Sequence, residues 1–154
     1  MTSEEDQKAH RWFAVACNNR AWDLTVQPSR SPADDREMLL AAHAAAFHWS
    51  KVGTPLNGMR AEVLLAHVHA LRGQGAEALR YARQVLTFCE NNACEDWDLA
   101  FAQLELALAM SVAQDPAGHR RHFLLAQTQG AAIKDAEERA VFLTELARIP
   151  EPRS

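Results

Sequence analysis

The stretch Ala61–Leu86, AEVLLAHVHALRGQGAEALRYARQVL, decides how this chain is read. Leu65 and Ala66 lie in one apolar run, Gly73-Gln74-Gly75 breaks it, and Ala78, Leu79, Ala82, Val85 and Leu86 follow. Their three- and four-residue spacing puts them on one face of a helix. Two glycines in three residues turn the chain back on itself. The stretch therefore predicts a hairpin of two antiparallel helices. Ala66, Ala78 and Ala82 let the helices approach closely, and the leucines fill the gaps between turns. One such hairpin cannot bury both of its faces, so hairpins of this kind stack.

A second stretch follows the same logic. In Phe101–Gln127, FAQLELALAMSVAQDPAGHRRHFLLAQ, Leu106 and Ala107 precede a turn and Phe123 and Ala126 come after it. The two copies are offset by about 41 residues, with the polar segment Glu90–Asp96 (ENNACED) between them. Elsewhere the chain predicts helices over about Ser3–Thr25, from Pro32 to Gly53, and from Asp135 to the final PEPRS. Ser31 before Pro32, and Asp115 before Pro116, are capping signals with proline at the first helical position. The segment Gly53–Gly58 (GTPLNG) is expected to be a loop, with the third helix beginning at Met59. No segment alternates with period two, so no strands are expected. The expected fold is all-α: about seven antiparallel helices, as three stacked helical hairpins plus a C-terminal capping helix. Residues 1–150 form one domain, and 151–154 a frayed tail.

These hairpins resemble the tetratricopeptide repeat, most clearly over Leu71–Leu79, LRGQGAEAL. The resemblance covers Arg60 to Ile133, and His119 stands where that family prefers alanine. It implies a superhelical solenoid whose concave face binds peptides or partner proteins. The whole chain also resembles a group of small uncharacterised bacterial proteins, through NNRAWDL (Asn18–Leu24), AHAAAFHW (Ala42–Trp49), RAEVLLAHVHAL (Arg60–Leu71) and DWDLAFA (Asp96–Ala102). That second likeness implies architecture and transfers no chemistry.

Composition narrows the function. The 154 residues carry a formal net charge of −4, which disfavours nucleic acid and anionic membranes, since both require a cationic face. No apolar stretch approaches the ~20 residues of a membrane span. The acidic start MTSEEDQKAH lacks the basic and apolar regions of a signal peptide. A cytoplasmic protein with free thiols is expected, because Cys17, Cys89 and Cys94 are odd in number and form no CxxC.

Each candidate site has a plain packing explanation beside it. His43 and His48 are five apart, about 140° round a helix, so they share no face and make no helical metal pair. Met38, Ala42, Ala45, Trp49 and Val52 form an apolar stripe beside them. Arg60 and His67 fall on the groove side of their helix, and a planar guanidinium is suited to holding a carboxylate. His119 and His122 share a face between Arg120 and Arg121, which suggests a solvated basic helix start. Asn18, Asn19 and Trp22 make a polar-aromatic patch, expected to form a hydrogen-bond network to the second helix or to contact a ligand. There is no GxSxG, P-loop, HExxH or glycine-rich dinucleotide turn.

The sequence therefore points to a non-enzymatic interaction domain binding a protein or peptide partner, with no cofactor, no metal and no catalytic residues. The residues placed at its binding surface are Asn19, Trp22, His43, His48, Trp49, Arg60 and His67. The alternative is a small-molecule or metal-binding bundle with a pocket between helices one to three. A homodimer through the end bearing Trp12 and Phe13 is a further expectation.

Overall fold

A computed structural model describes residues 3–154. Among these residues there are seven α-helices and no strand: α1 Glu4–Thr25, α2 Pro32–Val52, α3 Pro55–Leu71, α4 Gly75–Asn91, α5 Asp96–Val112, α6 Pro116–Ala131 and α7 Ala136–Leu146. Local chemistry fixes most of the starts. Ser3, Ser31, Thr54, Asp115 and Asp135 each accept a backbone N–H of the first turn, and proline opens α2, α3 and α6.

The third helix starts four residues earlier than the sequence suggested. Thr54 Oγ1 accepts the Asn57 N–H while Asn57 Oδ1 accepts the Thr54 N–H, at 3.3 and 3.0 Å. This reciprocal cap turns GTPLNG into a helix start instead of a loop.

The helices pair as α1–α2, α3–α4 and α5–α6, and these hairpins stack in chain order. Successive odd helices touch, whereas among the described residues α2 does not reach α4, nor α4 reach α6. The stack therefore bends round its odd-numbered side, and α7 extends that side by packing on α5 and α6. Ala66, Ala78, Ala82, Ala107 and Ala126 are all buried at the helix crossings.

The repeat is visible in the backbone as well as the side chains. At the α3–α4 turn, Gly73 N–H donates to Ala70 C=O and Gln74 N–H to His69 C=O, with Gly73 at φ 75°. Forty-one residues on, Gln114 N–H donates to Ser111 C=O and Asp115 N–H to Met110 C=O, with Gln114 at φ 61°. Both helices end in the same left-handed turn, the second without the glycine that suits it.

The C-terminal residues are tied to α6. His119 Nε2 donates to Pro150 C=O at 2.8 Å, and Arg120 Nη2 to Arg153 C=O at 2.7 Å. These bonds are why the segment lies along the helix rather than standing off as a frayed tail.

Candidate functional site

The odd-numbered side carries a ladder of charge pairs between α3 and α5. Arg60 Nε donates to Asp98 Oδ1 at 2.9 Å and its Nη2 to Oδ2 at 3.0 Å. Asp98 is buried and also accepts the Glu95 N–H that starts α5. The Arg60 guanidinium lies 4.2 Å from the Trp97 ring centre, a cation–π contact. Two helical turns further along both helices, His67 Nδ1–H donates to Glu105 Oε1 at 2.9 Å and Oε2 at 3.1 Å. Both partners of this second rung are buried, and the Trp22 ring packs 5.3 Å from His67.

Burial works against a charge on His67, but the Glu105 carboxylate more than reverses this and holds the imidazole above its ordinary value. Burial likewise lifts Glu105, with His67 pulling part of that rise back. The pair therefore retains a proton that its members would lose in water.

Next to the Arg60–Asp98 rung is a cavity of about 510 Å³. Its aromatic and apolar walls are Trp22, Val63, Trp97, Phe101 and Val141, with Asn18 at the α1 side. Glu137 and Glu138 from α7 close it, and both are exposed. Arg60 and Asp98 neutralise one another, which leaves the two α7 carboxylates as the cavity's net charge. Burial raises the Glu138 carboxyl, and Asp135, Asp96 and Glu95 add to the rise. The local potential is thus negative.

The seven residues placed at a binding surface by the sequence do not converge. Trp22 and Arg60 line the cavity. His67 lies beneath Trp22, tied to Glu105. Asn19 is exposed, and it is Asn18 that faces the cavity. Neither asparagine side chain bonds to α2 among the described residues, because α3 and α5, not α2, stand opposite. His43 packs edge-on against His69, 5.7 Å between ring centres, and burial first and then His69 hold it below its ordinary value. His48 faces α1, its Nδ1 2.8 Å from His10 Nδ1, so that one ring donates and the other accepts. Trp49 packs on Gly53, with Arg11 over its ring. The pocket expected between helices one to three is instead formed by α1, α3, α5 and α7, and α2 contributes no lining residue.

His119 and His122 are not a solvated helix start. Both are buried, His119 bonding the C-terminal segment and His122 Nδ1 donating to Gln103 Oε1 at 2.7 Å. Their neighbouring arginines face solvent, so one helix turn carries both a buried and an exposed side. The three cysteines are unpaired. Burial, and then the neighbouring Cys94 thiol, push Cys89 up to about 12, far from a reactive thiolate. Among the described residues no three metal-ligating side chains cluster, and no helix is long and apolar enough to cross a membrane.

Sequence reasoning found the cations of the ladder but missed the acids. Arg60 and His67 are seven apart, and so are Asp98 and Glu105, each acid 38 residues beyond its base. Two seven-spaced pairs of opposite sign on neighbouring odd helices were the available signal.

No protein-family model, no curated protein and no solved structure matches this chain.

Proposed function

We propose that the protein is a non-enzymatic interaction domain of the tetratricopeptide-like kind, whose odd-numbered side binds an extended, positively charged segment of a partner protein. The observation that carries this reading is the α1–α3–α5–α7 cavity: three aromatic walls, and two carboxylates that no cation of the cavity neutralises. A lysine or arginine side chain suits such a site. Its stem packs on Trp22, Trp97 and Phe101, and its charged head meets Glu137 and Glu138. The ion pair Arg60–Asp98 gives the floor a fixed shape, because a bidentate fork on a buried carboxylate has little freedom to move. The domain works in the cytoplasm, in keeping with its free thiols.

The cavity volume supports one second reading. It lies within the range of small-molecule sites, so a small organic ammonium compound would use the same walls.

The test is affinity capture from the source cell's lysate with three baits: wild type, Glu137→Lys/Glu138→Lys, and Leu124→Glu as a distant surface control. A stoichiometric protein held by wild type and by the control, but lost from the charge-reversed bait, supports the reading. A partner retained by the charge-reversed bait contradicts it.

A further inference from the structure

We infer that the α1–α2 end of the stack is a self-association face, and that the chain forms a closed twofold dimer through it. This rests on surfaces remote from the cavity and does not depend on what the cavity binds.

The face is built by helical spacing. On α1, Ala9, Phe13 and Ala16 follow one another at three or four residues, as Leu40, Ala44 and Phe47 do on α2. Leu40 and Phe47 sit roughly half a turn round α2 from Met38, Ala42 and Ala45, which are buried in the opposite direction. Phe13 is 45%, Leu40 59% and Phe47 54% exposed, with Trp12 at 65% beside them. The rings form one connected surface: Trp12 on Phe13, Phe13 stacked on His48, and His48 against His10 and Phe47. In a stack of hairpins the outward surface of a terminal unit is ordinarily polar, because nothing covers it. Here it has large apolar groups alternating with alanine, the composition used inside the stack for helix-on-helix packing.

Three features select a second copy as the occupant. The other end of the stack is occupied by α7 and the returning C-terminal segment, so a head-to-tail chain of molecules has no complementary face to grow on. The surface that matches this one is itself, which gives an isologous contact. The charges bordering the face are also already paired, Lys8 with Glu4 at 2.8 Å and Arg20 with Glu37 at 2.6 Å, so an identical surface brings little like-charge repulsion. Finally, two adjacent helices of 22 and 21 residues present roughly 600 Å² in projection, close to what each side of a stable interface buries.

Sedimentation velocity across a concentration series tests this, with helicity followed by circular dichroism. Wild type is expected to sediment with the mass of two chains. Phe47→Glu and Leu40→Glu are each expected to weaken the dimer about a hundredfold while keeping full helicity, as both side chains are exposed. Leu124→Glu, on exposed α6 surface, leaves the dimer intact. A wild type that is monomeric throughout overturns the inference. So does a dimer that survives Phe47→Glu, or an assembly that keeps growing past two chains.

Discussion

His67 and Glu105 show how much one buried pair decides. Each satisfies the other where no water competes, so removing a single partner leaves an uncompensated polar group in the core. Glu105→Ala or His67→Ala is expected to cost about 3–5 kcal/mol, whereas His67→Leu with Glu105→Leu together is expected to be near neutral. Urea unfolding measures both. The pair also sets a pH dependence. Folded His67 and Glu105 both hold protons more tightly than in the unfolded chain. Where the native state binds more protons, stability falls as pH rises. The loss begins above the unfolded carboxyl and imidazole values, about 4.3 and 6.5, and runs until the raised native values are passed. Wild type is thus expected to become less stable from mildly acidic to mildly alkaline pH, and the double leucine variant to show a flatter profile. A wild-type profile that rises over that range would refute this assignment. The bases were legible in the sequence because they share a helix face. The acids were not, since a partner on a different helix is a property of the stack and not of the local spacing.

At the scale of elements, the helices were legible because their signals are local. Ser31-Pro32 and Asp115-Pro116 cap and open α2 and α6 as their chemistry requires. The start of α3 was not, because Thr54 and Asn57 cap each other and a TPLNG run has the composition of a loop. The repeated left-handed turn gives a direct prediction. Gln114 adopts a conformation that glycine 73 adopts without strain, so Gln114→Gly is expected to raise stability by about 0.5–1 kcal/mol in thermal or chemical melts. Gly130 makes the opposite case. A Cβ there would collide with the buried Phe142 ring that docks α7. Gly130→Ala is expected to cost about 1–3 kcal/mol and to increase amide exchange in α7 before the rest of the chain. Because α7 supplies Glu137, Glu138 and Val141, the same change should weaken partner binding without touching the cavity's other walls.

At the scale of the whole molecule, the hairpin order and the existence of a groove side followed from the repeat, whereas the composition of the groove did not. The histidines and tryptophan of α2 drew attention because they interrupt an alanine run, but α2 lies on the outer side and at the end of the stack. The wall that gives the cavity its charge comes from α7, whose two glutamates look like ordinary first-turn acids beside a helix dipole. Selection of binders from a random peptide display library tests the central claim most directly. Wild type and the Glu137→Lys/Glu138→Lys variant would be compared. The expected result is enrichment of peptides with lysine or arginine next to apolar residues, lost in the variant and weakened by salt. Enrichment of acidic or uncharged peptides, or of the same basic peptides by both proteins, would contradict the account.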